Sequence, residues 1–396
     1  MGLNDTPLGE RIHIGFFGVR NAGKSSLINA ITNQPLSLVS DIAGTTTDPV
    51  YKTMEILPLG PVVLIDTPGT DDVGQLGEQR VKKAFEVVDK IHIAILVSDC
   101  TKEENTYEKE LIKKFQEKNI YYIHAKNKAD LLENIPESKE REIYVSAEKN
   151  INIQALKEML GSFKISKEGS LFLGDIVKPL QKAVLVCPID ESAPKGRLIL
   201  PQQQVIRQLL DIGAYTVVVK DTELESFLKE NGADLVITDS QAFAKVNAIV
   251  PESIPLTSFS ILMARYKGFL KKAVEGCNAI SALKDGDNIL ICEGCTHHRQ
   301  CKDIGSVKLP ALLKKYTKKE LNITLLSGHD FPEEKELLNY ALVIHCGGCM
   351  LGEREVLSRM ERAKKTPITN YGIAIAYMNG ILKRTISMLE EVRDLV

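Results

Sequence analysis

One stretch of the sequence, Gly18-Val-Arg-Asn-Ala-Gly-Lys-Ser25, decides the fold of the first part of the chain. It fits the pattern G-x-x-x-x-G-K-S/T, follows a strand pattern at Ile12–Gly18 and opens a helix pattern at Ser25–Ile31. Glycines let the backbone curl so that successive N–H groups point at phosphate oxygens. We therefore predict a phosphate-binding loop at this strand-to-helix turn.

Two side chains of this loop carry the phosphate chemistry. Lys24 is expected to reach the β- and γ-phosphates of a nucleotide, and the Ser25 hydroxyl is expected to ligate Mg²⁺. The other loop residues expected to bind the nucleotide are Gly18, Asn21, Gly23 and Ser26.

Two further motifs follow apolar strand patterns. In the first, Asp66 is placed to hold Mg²⁺ through water, and the N–H of Gly69 to sense a γ-phosphate. The second contains Asn127, Lys128 and Asp130. The Asp130 carboxylate can accept both N–H donors of guanine, whereas adenine lacks this donor pair and would leave the carboxylate unpaired. The second motif therefore favours guanine over adenine.

A fourth motif, Ser146-Ala147, ends another strand pattern, and we expect it to offer a backbone N–H to guanine O6. Any one of the four motifs is compatible with an ordinary turn. Their joint order, each after a strand, predicts a guanine-nucleotide site and GTP hydrolysis.

The segment Asp41–Asp48 lies where a switch loop belongs, and together with Asn21 it resembles the GTPases of the TrmE–Era type. The resemblance implies that Asn21 binds K⁺ and that Thr46, or Thr45, is the switch threonine on Mg²⁺. It also implies a catalytic set of Lys24, Asn21 and Thr46. Position 70 is Thr rather than a water-orienting glutamine, and no glutamate precedes Glu78 in this loop, so slow hydrolysis is expected.

Alternation of strand and helix patterns indicates an α/β protein of three domains. We predict an N-terminal P-loop GTPase domain over residues 1–166 with a doubly wound, mostly parallel sheet. Two smaller α/β domains are predicted over residues 167–263 and 264–396. No repeat of fixed period is visible. The middle block shows no catalytic constellation, which is typical of a spacer or an oligomerisation module.

Composition limits the possible partners and the compartment. The chain has 396 residues, 44% apolar and 26% charged, with a net charge of −2. No strong electrostatic signal for nucleic acid is present. No apolar run reaches the ~18 residues that span a bilayer, and the N-terminus lacks a signal-peptide pattern. We expect a cytoplasmic protein that binds neither membrane nor nucleic acid.

The last third of the sequence carries a metal signal in two parts, Cys295-Thr-His297 and His345-Cys346-Gly-Gly-Cys349. Both follow strand patterns, and the carboxyl ends of parallel strands meet at one sheet edge. Three thiolates plus one of His297, His298 or His345 would satisfy Zn²⁺. The same cysteines would hold a [4Fe–4S] cluster with one iron open or weakly ligated. The spacing alone leaves both metals open; Cys292 reads as a core thiol, and Cys301 as a fourth ligand or a free thiol.

The combination of a TrmE-like GTPase, an α/β middle block and the cysteine and histidine set resembles the family of [FeFe]-hydrogenase maturation GTPases. The resemblance implies a [4Fe–4S] cluster on Cys295, Cys346 and Cys349, with an exchangeable fourth site for which His297 and His345 are possible ligands. It implies a scaffold that receives a diiron precursor through two radical-SAM maturases and passes it to apo [FeFe]-hydrogenase. It also implies a homodimer formed by the middle block.

Two rival hypotheses use the same motifs. The first is a TrmE-like GTPase that acts on tRNA or the ribosome and carries a structural zinc site; the net charge of −2 argues against it. The second is a GTPase whose turnover changes when a cluster is oxidised. Metal content and RNA co-purification distinguish these hypotheses from the scaffold.

Overall fold

The computed structural model describes residues 6–33, 49–69, 75–165, 172–189, 198–294, 303–328 and 330–396. The chain divides into two compact units, Met1–Ser166 and Lys167–Val396. Within the described ranges, no helix combines the length and the apolar character needed to cross a bilayer.

The first unit is built on a six-stranded sheet in the order β2-β3-β1-β4-β5-β6. Its strands are β1 (Ile12–Phe17), β2 (Val50–Ile56), β3 (Gly60–Asp66), β4 (Ile93–Asp99), β5 (Tyr121–Asn127) and β6 (Glu142–Tyr144). Its helices are α1 (Lys24–Thr32), α2 (Gln75–Val88), α3 (Thr106–Glu117) and α4 (Ile153–Ser162), with a 3₁₀ turn at Ala129–Leu131. All neighbouring strands are parallel except β2 and β3.

Burial along the strands explains this layering. Every residue of β4 is buried, as expected for a central strand with helices on both faces of the sheet. In β2, exposed and partly buried residues alternate, which is typical of an edge strand with one wet face. The sequence analysis did not identify β2, because its short apolar–polar alternation adjoins the expected switch loop. The α/β prediction with a mostly parallel first sheet is confirmed.

The second unit contains two four-stranded parallel sheets. The first sheet has the order β10-β9-β7-β8, and its strands are β7 (Lys182–Val186), β8 (Tyr215–Val219), β9 (Leu235–Thr238) and β10 (Leu256–Ser258). The second has the order β12-β11-β13-β14, and its strands are β11 (Asn288–Glu293), β12 (Asn322–Ser327), β13 (Leu342–His345) and β14 (Ile368–Asn370). One apolar cluster includes side chains from both sheets.

Helices connect and cover these strands. In the first half of the unit they are α5 (Leu200–Ile212), α6 (Leu224–Asn231), α7 (Phe243–Ile249) and α8 (Phe259–Tyr266). In the second half they are α9 (Leu270–Cys277), α10 (Ala279–Ala282), α11 (Leu309–Thr317), α12 (Glu334–Leu337), α13 (Glu353–Arg362), α14 (Tyr371–Met378) and α15 (Leu382–Ile386). The domain boundary expected between residues 263 and 264 falls inside α8.

The two sheets of the second unit share one topology. In each, the first strand lies between the second and the third, and the fourth lies beyond the third. Thr238 pairs with Ser258 as His345 pairs with Asn370, and both Ser258 and Asn370 cap the helix that follows. Identical residues recur along these two strand–helix segments: Pro255 and Pro367, Thr257 and Thr369, Ile261 and Ile373, Ala264 and Ala376, Gly268 and Gly380, and Leu270 and Leu382.

The second unit is therefore an internal duplication, which the sequence analysis did not identify. Thr238 and His345, at the ends of the third strands, are not the same number of residues apart as Ser258 and Asn370, at the ends of the fourth strands. The duplication therefore has no fixed period in the sequence. Its signature is structural: Gly268 and Gly380 both adopt left-handed φ angles, 76° and 69°, and each directly follows the C-cap residue of its helix.

Candidate functional site

The phosphate loop joins β1 to α1. Lys24 is buried, and its Nζ donates to the carbonyl oxygens of Gly18 and Val19 at 2.9 Å each. Gly23 has a φ of 92°, and a Cβ there would lie 2.2 Å from Nδ2 of Asn127. Only glycine fits this position, and the charge of Lys24 lies inside the loop, where a phosphate would be bound.

The magnesium prediction rests on two oxygens that the fold brings together. Ser25 Oγ donates to Asp66 Oδ2 at 2.5 Å. Asp66 Oδ1 is buried and accepts no hydrogen bond from the described residues. Burial raises the pKa of the Asp66 carboxyl, and the hydrogen bond from Ser25 and the charge of Lys24 offset part of this rise. A hydrated cation would satisfy the unpaired oxygen, so this donor set fits Mg²⁺.

The base-recognition motif lines a cavity beside the phosphate loop. It has a volume of about 410 Å³ and is lined by Asn21, Gly23, Lys24, Ser25, Ser26, Asn127, Lys128, Asp130, Leu131, Ser146, Ala147 and Glu148. A smaller cavity of about 200 Å³ contains Asp66 and Gly69 together with Arg20 and Arg80. The phosphate loop contributes to both cavities, so the sequence motifs converge on one continuous nucleotide cleft.

The segment expected to face guanine O6 makes hydrogen bonds of its own. The N–H of Ser146 donates to the carbonyl of Ile151 at 3.1 Å, and the N–H of Ala147 donates to Asn127 Oδ1 at 3.1 Å. Both residues line the cavity, but both N–H groups already have acceptors. Their role toward O6 stays a prediction. Thr45, Thr46 and the stretch Thr70–Asp72 lie outside the described residues.

The cysteine loop begins where β13 ends, beside the end of β11. Cys346 Sγ accepts the N–H of Gly294 at 3.1 Å and the N–H of Gly348 at 3.3 Å. The Cys346 N–H donates to the carbonyl of Cys292 at 2.9 Å. Two neighbouring strand ends therefore hold one sulfur atom, as the sheet-edge argument predicts for this cysteine.

Burial separates two classes of cysteine among the described residues. Cys346 and Cys349 are partly exposed, as is Cys100 in the first unit, whereas Cys187, Cys277 and Cys292 are buried. Burial raises the pKa of Cys292 to about 12, which suits an inert core thiol. Cys295, His297, His298, Cys301 and His329 lie outside the described residues.

The Cys346 and Cys349 thiols sit in a confined setting. Burial raises the pKa of Cys346, and the hydrogen bonds from the N–H groups of Gly294 and Gly348 offset part of this rise. Burial and the nearby Cys346 raise the pKa of Cys349 to about 11, while the charge of Lys267 acts in the opposite direction. Thiols of this kind are protonated at neutral pH, so metal binding would release protons.

The geometry of His345 does not support the metal-ligand role considered for it. Its Nδ1 lies 2.7 Å from the carbonyl of Cys346, and its Nε2 lies 3.2 Å from Arg359 Nη1. A carbonyl only accepts and a guanidinium only donates, so Nδ1 carries the hydrogen and Nε2 is an acceptor. Burial and the charge of Arg359 lower the pKa of His345 to about 3. The ring is neutral, and both of its nitrogens have protein partners.

Arg359 is a residue that the sequence analysis missed. It is 2% exposed and donates to Gly328 O at 2.8 Å and to Glu355 Oε1 at 3.0 Å. The available signal was the Glu355–Arg359 pair, four residues apart on α13 and next to the buried Val356 and Met360. Charged residues of a helix are normally assigned to its solvent face, which concealed this pair.

One group of three potential ligands lies close together in the described ranges, and it belongs to the first unit. It consists of Glu104, His124 and Glu142. Lys126 lies 3.3 Å from Glu104 and 3.7 Å from Glu142, so its ammonium already balances the carboxylates. We read this group as an ion-pair network rather than a metal centre.

Three family models match the chain. Residues 13–128 match the model described as 50S ribosome-binding GTPase. Residues 172–268 match the hydrogen maturase F dimerization domain, and residues 271–388 match the hydrogen maturase F tetramerization domain. These matches cover most of both units.

Curated relatives are similar to this chain over about 160 residues. The tRNA modification GTPase MnmE of Francisella tularensis subsp. novicida is 36% identical over 162 residues, 38% of this chain and 35% of the relative. The chain thus spans about a third of the length of the curated relatives it matches.

Two solved structures are similar at low levels. A probable GTP-binding protein engB has 22% identity and a TM-score of 0.31, covering 37% of this chain and 96% of that one. A variant of Aquifex aeolicus Era bound to GDP and AlF4⁻ has 16% identity and a TM-score of 0.33, covering 60% of this chain and 97% of that one.

The matches and the nucleotide cleft agree on the first unit, which is a GTPase domain that uses GTP and Mg²⁺. The two models that match the second unit are both described as oligomerization domains, which supports an oligomeric protein. On this architecture the chain belongs to the hydrogen maturase F family of GTPases.

Proposed function

We propose that the protein is a GTP-hydrolysing scaffold that binds a [4Fe–4S] cluster and delivers the diiron precursor of the hydrogenase active site to apo [FeFe]-hydrogenase. Its components would arrive through two radical-SAM maturases. We also propose that this activity takes place in the cytoplasm.

The observation that carries the proposal is the environment of Cys346. Its sulfur accepts two backbone N–H groups, from Gly294 and Gly348, at the edge where β11 and β13 end. Backbone N–H bonds to cysteine sulfur stabilise thiolate charge and tune iron–sulfur clusters. Cys346 and Cys349 would hold the cluster together with Cys295, and an open iron would allow a cargo to be both bound and released.

The nucleotide acts as a switch in this proposal. The expected role of GTP and Mg²⁺ is to order the switch loops that follow α1 and β3, and hydrolysis would release them. Slow turnover of GTP suits a molecular switch better than an enzyme whose role is to supply a reaction product. Asn21 is proposed to bind K⁺, which would supply charge at the transferring phosphoryl group.

A homodimer is proposed at the edge of the first sheet of the second unit. β8 is an edge strand, and the described residues provide no strand partner on its outer side. Tyr215 and Val218 of this strand are 57% and 45% exposed. An exposed apolar edge strand is suited to pairing with another chain, and a second copy related by twofold symmetry is the simplest partner.

Anaerobic reconstitution with iron and sulfide tests the scaffold proposal. The wild-type chain should bind about four iron atoms and give an EPR signal when reduced. Cys346→Ser should lose most of the iron while GTP turnover persists. Lys24→Ala should lose GTP turnover while iron content persists. Cys292→Ala is the matched control, because it removes a buried thiol of the neighbouring strand that is not a proposed ligand.

The opposite result would support a different function. The 36% identity to a tRNA modification GTPase over 162 residues keeps a tRNA- or ribosome-directed GTPase with a structural zinc site as the second candidate. Stoichiometric zinc without iron in anaerobically purified protein, with salt-sensitive RNA co-purification, would favour that candidate and contradict the scaffold.

A further inference from the structure

A buried arginine connects the strand ends beneath the cysteine loop. Arg359 Nη1 donates to His345 Nε2, and Nη2 donates to the carbonyl of Gly328. Glu355, one turn earlier on α13, accepts from the same Nη2 at 3.0 Å. One guanidinium group therefore joins the residue after β12 to the last residue of β13, at the edge where Cys346 begins the loop.

His345 transmits this constraint to the cysteine. Its Nδ1–H donates to the carbonyl of Cys346 at 2.7 Å. The centroids of the Phe269 and Phe331 rings each lie 6.2 Å from the centroid of the imidazole. The ring is thus held by hydrogen bonds at both nitrogens and by two aromatic neighbours. A shift of Arg359 would therefore displace the ring and, with it, the backbone of Cys346.

The duplicated half of the same unit provides an internal comparison. Thr238 occupies the register position of His345, because each pairs with the residue that caps the next helix. Val246 and Arg359 stand at the same distance from the ends of their helices, since the carbonyl of each accepts the N–H of the residue that caps the helix C-terminus. Val246 is fully buried.

This comparison distinguishes two explanations for the buried charge of Arg359: that the fold requires it, or that it serves the cysteine loop. Burying a guanidinium carries a desolvation penalty even when it is paired, and an apolar residue of similar volume is often at least as stabilising. In the half built on the first sheet, the buried residue near the end of the helix is Val246, and Asp239 stands where the other half has Cys346. The buried guanidinium is therefore present in the half that carries Cys346 and Cys349, and the shared fold of the two halves does not require it.

We propose that Arg359 is a positioning residue for the [4Fe–4S] cluster, acting through His345 on the loop Cys346–Cys349 and placing a fixed positive charge beside the thiolates. The inference rests on the proposed cluster function. A nearby positive charge stabilises the reduced, more negative cluster, so it raises the midpoint potential. The fork of hydrogen bonds orients the loop, so it strengthens cluster retention.

Three variants of the full chain separate charge from geometry. Arg359→Met removes both, and Arg359→Lys keeps the charge but loses the planar fork. Arg384→Met is the matched control, because Arg384 lies on α15 and its guanidinium donates to the segment between Asn247 and Ile254 instead of to the cysteine loop. Each protein is reconstituted with iron and sulfide, then measured for chelator resistance of its iron and for the midpoint potential by EPR-monitored titration.

We expect Arg359→Met to lose its iron at a roughly tenfold lower chelator concentration and to have a more negative potential than the wild type. Arg359→Lys should lose iron as readily but keep the wild-type potential, and Arg384→Met should match the wild type in both. Unchanged retention and potential in Arg359→Met would overturn the inference. If that variant does not fold, wild-type iron retention in Arg359→Lys overturns it instead. A wild-type chain that takes up no iron contradicts the proposed function, and the inference with it.

Discussion

The side-chain amide of Asn127 donates a hydrogen bond to the carbonyl oxygen of Ala22 across 3.0 Å. The other end of the same amide accepts the N–H of Ala147 at 3.1 Å. Asn127 is 3% exposed and lies at the end of β5. A single buried amide thus joins the phosphate loop to both segments expected to contact the base.

Replacing this amide should weaken nucleotide binding. In Asn127→Ala, the Ala22 carbonyl and the Ala147 N–H lose their partner inside a buried site, which costs about 1–3 kcal/mol. We expect GDP affinity, measured with a fluorescent nucleotide, to fall about 10- to 100-fold. Asn105→Ala is the control: it removes the cap of α3, away from the cleft, and should lower the melting temperature without changing the affinity. Equal affinity in wild type and Asn127→Ala would contradict the linking role.

Asp130 offers a test of base recognition. Its carboxylate can accept two N–H donors from guanine, whereas an amide presents one donor and one acceptor. Asp130→Asn should therefore lose GTP affinity by about 100-fold or more and gain affinity for xanthosine triphosphate, whose edge has the complementary pattern. Competition between the two triphosphates measures this exchange. Loss of both nucleotides would indicate damage to the cleft instead of a change in specificity.

The nucleotide site was accessible to sequence analysis because its motifs are local. Lys24, Asp66 and Asp130 each follow a strand whose apolar run is visible, and parallel strands deliver their following residues to one edge. The same reasoning located Cys346 at a sheet edge. Strands β10 and β14 escaped detection because each has three residues and leads directly into a helix cap.

Tertiary contacts explain the remaining misses. Arg359 lies on a helix rich in charged residues, and only its long-range bonds to His345 and Gly328 show that its guanidinium is buried. The role of His345 depends on the same contact, because nothing in the motif His345-Cys346 tells a ligand from a hydrogen-bonded ring. Long-range partners of buried charges are not encoded in a local pattern.

Potassium dependence tests the role proposed for Asn21. This residue has a φ of 61°, so Asn21→Gly preserves the backbone conformation while removing the carboxamide. In the wild type we expect K⁺ to stimulate GTP hydrolysis by at least about tenfold over Na⁺, since fixed positive charge stabilises the transition state. In Asn21→Gly the ratio of the two rates should approach one. Equal wild-type rates in both salts would reject the potassium role.

An ion pair beside the base motif predicts a dependence of stability on pH. Asp99 Oδ2 lies 2.6 Å from Lys128 Nζ. Burial alone would raise the pKa of Asp99, but hydrogen bonds from Lys128 and Thr101 outweigh it and lower the pKa to about 2. A carboxyl with a lowered folded-state pKa stabilises the fold above its unfolded pKa, near 4, and this contribution is lost as pH falls toward 2.

Asp99→Asn should therefore destabilise the protein by about 1–2 kcal/mol at pH 7, less than full linkage would give because the Lys128 side chain is 35% exposed. The difference between variant and wild type should shrink as the pH falls below 4. Urea unfolding followed at pH 7 and at pH 3 measures it. A difference that stays constant between these two conditions would assign the loss to packing and not to charge.

The edge of β8 provides the test of assembly. Val218 is 45% exposed on this strand, and Leu210 on α5 is 61% exposed in the same half of the unit. A lysine at an edge strand opposes strand pairing between chains through its charge and its hydration. We expect Val218→Lys to halve the assembly mass measured by light scattering.

The folded state should survive this change, since position 218 is half exposed. GTP turnover of Val218→Lys should stay at the wild-type level, and Ile135→Lys, at a position 40% exposed in the first unit, should leave the mass unchanged. If Val218→Lys keeps the wild-type mass, the two copies meet through another surface, and the edge of β12 in the second sheet becomes the next strand to test.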